Sequence, residues 1–263
     1  MDLGLKGKIA LIAASSRGLG RAVANSLANE GVNLIICSRN KDRIEKAGLE
    51  IEKEFGVEVL PLVCDLFFED EVKKLKEKAL IRFKKIDILF TNAGGPPPGK
   101  AFDFEIEDYR KALELNLISA INLVLQFVPI MKGNNWGRII ISTSISVKQP
   151  IENLALSNVS RVGLIGFLKS IINDISKHNI TANIIAPGYI MTERVENLIK
   201  DKMKNQDISY DKALEEITNN IPLKRIGKPE EFGALVSFLS SELSGYINGE
   251  TIIIDGGMYK GLF

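Results

Sequence analysis

Short runs that are apolar at nearly every position alternate along this chain with longer segments whose apolar residues recur every three or four positions. The runs Ile9 to Ala13, Asn33 to Cys37, Glu58 to Cys64, Ile86 to Thr91, Arg138 to Ser142, Thr181 to Ala186 and Glu250 to Ile254 read as strands. Being apolar on both faces, they suit a sheet covered on two sides. Leu19 to Glu30, Lys41 to Phe55, Glu69 to Phe83, Glu107 to Met131, Ser157 to Lys177 and Pro229 to Ser240 read as helices. That alternation predicts an α/β fold, a doubly wound parallel sheet of about seven strands with helices on both faces. No repeat, low-complexity tract or Pro/Gly/Ser-rich linker divides the chain, so residues 1 to 263 are expected to form one domain.

Two helices are too apolar for a single buried face. In the segment Val159 to Ile175 apolar residues circle the helix, and Glu107 to Met131 behaves alike. Both are expected to be buried on several sides, part of that burial coming from a second copy of the chain. The stretch Leu113 to Met131 is interrupted by Asn116, Asn122, Gln126 and Pro129, which favours a buried helix over a membrane span. Composition adds exclusions. With 34 basic and 33 acidic residues the formal charge is +1, so no global field attracts nucleic acid or an anionic membrane. Cys37 and Cys64 fall in strands and read as buried thiols rather than a disulfide framework. The N-terminus enters a strand without an apolar signal region, and a cytoplasmic location is the expectation.

The first chemical motif is the loop Ser15, Ser16, Arg17, Gly18, Leu19, Gly20, set between a strand and a helix. Glycines there let the backbone approach a pyrophosphate, and the helix N-terminus offers N–H groups and a positive dipole end. An ordinary glycine-containing turn fits the same residues. At the end of the second strand stand Ser38 and Arg39, where an NAD-specific site usually carries an acidic residue. Arg39 together with Arg17 suits a 2′-phosphate, which favours NADP(H) over NAD(H). A solvated loop arginine is the plainer alternative for Arg39.

Along essentially its whole length the chain resembles the short-chain dehydrogenase/reductase family, and within it the 3-oxoacyl-ACP reductases. The loop Ala14 to Gly20 is similar to the family's Thr-Gly-x-x-x-Gly-x-Gly. Asp65, followed by Leu66, stands where the family contacts adenine, and Asn92, Ala93, Gly94 match its Asn-Ala-Gly segment. Asn116 and Ser144 match the Asn and Ser of the catalytic tetrad. Pro187, Gly188, Ile190 and Thr192 match the Pro-Gly segment beside the nicotinamide. The resemblance implies a Rossmann-type fold, a homotetramer or dimer, a small-molecule carbonyl or alcohol substrate, and a substrate-covering lid at about residues 193 to 220.

Three departures bear on chemistry. Ala13 and Ala14 replace the Thr and first Gly of the phosphate loop. Ser157 falls where the family has its Tyr, and Arg161 where it has its Lys. A phenol with pKa about 10 can be tuned toward neutrality by a nearby cation; a serine hydroxyl is less acidic and shorter by a ring. Arg161 can hold ribose hydroxyls but cannot relay a proton as Lys does. Tyr189 and Lys148 are the remaining candidates for proton or charge, and Ser144 for polarising a carbonyl; His178 reads as a helix-end residue. No metal-ligand set is expected. Ile145, Val147, Pro150, Ile151 and Leu154 read as an apolar wall, which points to a hydrophobic rather than a highly charged substrate. The expected activity is thus NADP(H)-dependent hydride transfer with an altered proton donor. A cofactor-binding homologue without turnover is the competing expectation.

Overall fold

The computed structural model describes residues 2–262 and shows seven parallel strands in the order β3-β2-β1-β4-β5-β6-β7. These are β1 (Ile9–Ile12), β2 (Asn33–Ser38), β3 (Val59–Val63), β4 (Ile88–Thr91), β5 (Gly137–Ser142), β6 (Ile180–Pro187) and β7 (Thr251–Ile254). The central strands β1, β4, β5 and β6 are buried at every position, as their apolar runs require of a doubly covered sheet. The chain runs outward from β1 to β3, then returns past β1 to begin β4. That reversal opens a crevice at the carboxyl ends of β1 and β4, the place where doubly wound sheets bind ligands.

The helices are α1 (Gly18–Asn29), α2 (Lys41–Phe55), α3 (Glu69–Phe83), α4 (Ile106–Leu113), α5 (Ser119–Asn134), α6 (Ala155–Ser176), α7 (Glu193–Gln206), α8 (Tyr210–Thr218) and α9 (Pro229–Ser240). Local signals place several ends. Asn40 caps α2 by accepting a hydrogen bond from Arg43 N at 2.8 Å, and Gly56 stops it in the left-handed conformation. Pro229 opens α9, where Glu231 accepts from Lys228 N. One core layer packs α3, α5 and α6 against one sheet face; the other packs α1, α2 and α9 against the opposite face.

One expectation needs correction. The segment Glu107 to Met131 is not one regular helix: α4 and α5 are joined through a π-helical turn, Glu114–Ile118, centred on Asn116. An extra residue in a turn leaves no mark in a three-to-four-residue apolar period, and such bulges occur mostly at functional sites. Within the single chain α5 and α6 are partly uncovered: Leu125 of α5, Ile118 just before it, and Val159 and Val162 of α6 are exposed. The continuous helical stretch Ile106–Asn134 and α6 are long and apolar enough to cross a membrane by length and composition, yet α5 and α6 each pack a face into the sheet core. Cys37 and Cys64 are free and buried; burial pushes Cys37 up to about 12 and raises Cys64 as well, which keeps both thiols protonated.

Candidate active site

The phosphate loop leaves β1 through Ala14, which adopts a left-handed φ of 49°. The family's glycine at this position is therefore a conformational requirement that Ala14 meets under strain. Replacing Ala14 with Gly relieves it, offset in part by the freer unfolded chain. Stability should rise by about 0.5 to 1 kcal/mol, read as a thermal midpoint higher by about 1–4 °C. A lower midpoint would show that the loop is not strained there. Gly20 is needed for close approach, because a side chain on it would run into the main chain of Ala14 and Ser15.

Ser15 does not face the crevice. It is fully buried, its hydroxyl donates to Ile12 O at 2.8 Å and accepts from Cys37 N at 3.2 Å. It ties the loop to β2. Beyond it the N-terminus of α1 has no side-chain cap and no acidic residue in its first turn. Its N–H groups are thus open to an anion. Across the crevice Thr192 sits opposite Gly18, its Cγ2 3.8 Å from where a Gly18 side chain would begin. Arg17 is ion-paired with Glu193 at the start of α7, which ties that helix to the phosphate loop.

At the adenine end Arg39 is exposed, its guanidinium 4.0 Å from Asp65. Asp65 also accepts from Phe67 N, which shapes the turn after β3, and Leu66 is buried beside it. Ser38 donates to Asn40 O. An exposed guanidinium held only by a loose ion pair is free to take a phosphate.

At the other end Asn92, Ala93 and Asn116, with Thr91, Ser119, Ser142 and Arg161, line a cavity of about 10 Å³. That is room for about one water molecule. Asn116 Nδ2 donates to Ala112 O, while its Oδ1 and Thr91 Oγ1 are buried without a protein partner. Arg161 is buried; its Nε donates to Ser157 Oγ at 3.2 Å and its Nη1 reaches Thr143 O at 3.5 Å. Burial, and secondarily the Arg194 guanidinium, push Arg161 down to about 10, so it remains charged at neutral pH. Ser144 caps a short turn after β5 by accepting from Ser146 N at 3.1 Å.

Other candidates are placed elsewhere. Tyr189 packs against the small apolar cluster of α7 and α8, built on Val195, Ile199 and Ala213. It does not line the cavity, because its ring gains more from packing into that apolar cluster than from facing the cleft. Ile190 is buried against Gly227, so only its backbone faces the crevice side. Pro187 ends β6 buried, with Gly188 N donating to Ile254 O; Gly94 is exposed at the crevice rim. Lys148 follows the Ser144 turn, and His178 follows α6 with its backbone N–H bonded to Ile175 O. Ile145 and Val147 of the expected apolar wall are in the interior, leaving that wall thinner than the sequence pattern suggests. The sequence reading missed Arg194, which extends from α7 onto Gly95; its only trace in the sequence is its position two residues after Thr192.

A family model described as Enoyl-(Acyl carrier protein) reductase matches residues 13–259, spanning every element of this site. The chain belongs to the short-chain dehydrogenase/reductase family. It is 33% identical over 256 residues to the NADPH-dependent reductase BacG of Bacillus subtilis, covering 97% of this chain and 99% of that one. It is 33% identical to the 3-oxoacyl-[acyl-carrier-protein] reductase FabG of Aquifex aeolicus, over 98% of this chain and all of that one. Among solved structures, L-sorbose reductase from Gluconobacter frateurii, complexed with NADPH and L-sorbose, superimposes with a TM-score of 0.96 over the full length of both chains, at 32% identity. As a family member the chain is an oxidoreductase, built on the Rossmann-type fold described above.

Proposed function

We propose that this protein is an NADP(H)-dependent reductase of carbonyl compounds, reversible to the alcohol, whose proton donor is not a tyrosine. The observation that carries the reading is the buried, charged Arg161 in a polar cavity with Asn116, one turn from Ser157. The dinucleotide fits the crevice. The uncapped α1 N-terminus and the loop Ser16 to Gly20 suit its diphosphate, Arg39 and Arg17 its 2′-phosphate, and Asp65 with Leu66 its adenine. Asn92, Ala93, Gly94, Arg161, Pro187, Gly188, Ile190 and Thr192 surround the nicotinamide end. NADPH, and the NADPH-dependent relatives, supply the precedent for hydride transfer to the carbonyl carbon.

The chain's own residues then have three tasks. Ser144 donates its O–H to the carbonyl oxygen, since Ser146 N already occupies a lone pair of Oγ and orients the group. Arg161 places a fixed positive charge where an alkoxide develops, and its Nε holds the Ser157 hydroxyl. Asn116 Oδ1 and Thr91 Oγ1 offer acceptors for a water able to deliver the proton. Ser157 itself lacks both the acidity and the reach to replace a phenol. The segment 193–220 acts as a lid, latched by Arg17 and Glu193. A specific observation also favours a protein that binds the cofactor without turnover: the Ser157 hydroxyl is occupied by Arg161 rather than free.

Absorbance of NADPH followed over ketones, aldehydes, quinones and acyl thioesters separates the readings, with NADPH binding measured by fluorescence alongside. Turnover of at least one class by the native protein is the expected result. Binding without turnover, still absent after Ser157→Tyr combined with Arg161→Lys, overturns the reductase reading. The protein is further proposed to be a homo-oligomer, a dimer or tetramer joined through the exposed faces of α5 and α6. Light scattering at micromolar concentration should give at least twice the chain mass of 29.0 kDa; a monomer contradicts the assignment.

A further inference from the structure

Arg194 is the second residue of α7, and its guanidinium rests on the backbone of Gly95, where any side chain would collide with it. Gly95 continues the segment whose Asn92 and Ala93 line the cavity with Arg161. Arg194 therefore stands at the same end of the crevice as Arg161, near enough for its charge to disfavour the Arg161 cation. Among the described residues neither has an acidic partner. No carboxylate lines the cavity, Glu193 is taken by Arg17, and Arg194 makes no hydrogen bond or ion pair among the described residues.

Such a pair is unfavourable until an anion reaches it, because partly desolvated like charges repel and their planar forks hold unused donors. The dinucleotide's phosphates already have partners at the α1 N-terminus and at Arg39, and although Glu193 joins α7 to the phosphate loop through Arg17, Arg194 reaches the other way, onto Gly95 beyond β4. What remains at this end is the substrate.

We propose that Arg194, backed by Arg161, forms a carboxylate-binding subsite that selects oxo acids over neutral carbonyl compounds. The proposal rests on the reductase reading above and narrows its substrate class. A guanidinium presents two parallel donors to a carboxylate, and the bidentate pair fixes the orientation of the neighbouring carbonyl. Arg161 then lies toward the oxygen that gains charge. Because Arg194 belongs to the lid helix, a carboxylate bound to it also ties the lid to the loop after β4. The hydrophobic substrate expected from the sequence becomes an amphipathic one, an acid with an apolar tail along Ile151 and Leu154.

The test is calorimetric titration of the NADP⁺-loaded native protein with pyruvate, 2-oxobutanoate and 2-oxo-4-phenylbutanoate, each beside its neutral amide. At least one acid should bind tenfold or more tighter than its amide. In Arg194→Gln that preference should fall below twofold; in Arg194→Lys part of it should return. NADPH affinity, read by fluorescence, should change less than threefold in both variants. Equal affinity for acid and amide in the native protein, binding of neither, or a preference surviving in Arg194→Gln overturns the subsite. So does a tenfold loss of NADPH affinity in Arg194→Gln, which would assign the guanidinium to the cofactor diphosphate. Acids that bind with the expected preference but are never reduced uphold the subsite and count against the reductase reading alone.

Discussion

Gly20→Ala should lower NADPH affinity by at least 100-fold. A methyl built on Gly20 lies 2.9 Å from the carbonyl carbon of Ala14 and 2.9 Å from Ser15 Cα, and closer still to Ala14 O. These are main-chain atoms in the tightest part of the phosphate turn, already bent through a left-handed Ala14. Relief requires the turn to open, which misaligns the N–H groups of the α1 N-terminus. Losing about two charge-assisted hydrogen bonds at about 1.5 kcal/mol each amounts to about 3 kcal/mol, or roughly two decades of affinity. Fluorescence titration reads the loss directly. Thermal unfolding should show a stability cost of about 1–3 kcal/mol, the usual range for overpacking, with the fold retained. Binding within threefold of native would mean that the diphosphate is not held at this turn.

Arg161→Met should separate activity from stability in opposite directions. Removing a preorganised charge beside a developing oxyanion costs about 100-fold to 1000-fold in kcat. Stability should hold or rise by about 1 kcal/mol, since exchanging a buried, unpaired cation for an apolar side chain of similar length removes a desolvation cost. Arg161 has only the Ser157 hydroxyl and a long contact to Thr143 O as partners, so little hydrogen bonding is lost. Arg161→Lys keeps the charge and should recover a large part of the rate. The combination to look for is a collapsed kcat with an unchanged or raised thermal midpoint. A variant that loses stability and rate together would reassign Arg161 to a structural role.

Much of the architecture is legible without coordinates. Strands buried on both faces must be apolar throughout, so β1, β4, β5 and β6 stand out as runs, and the caps at Asn40 and Pro229 mark helix starts. Residues near one another in sequence are legible for the same reason: the phosphate loop follows its strand, and Ser157 and Arg161 lie one helical turn apart. The π-helical turn at Asn116 is not legible, because a widened turn changes hydrogen bonding without changing the apolar pattern. Ser15 looks like a phosphate contact until the backbone shows its hydroxyl spent between β1 and β2.

By itself the sequence determined the parallel sheet and the crevice loop, and its resemblance to the family carried the expectation that Ser157 and Arg161 stand at the Tyr and Lys positions. Those follow from local periodicity and from motifs in which neighbours along the chain act together. The tertiary structure alone decided that Tyr189 packs into the α7–α8 cluster, that Arg17 is paired with Glu193, and that Arg194 rests on Gly95. The last two join elements far apart in the chain, and only the packing of helices on the sheet sets which charges end up near one another.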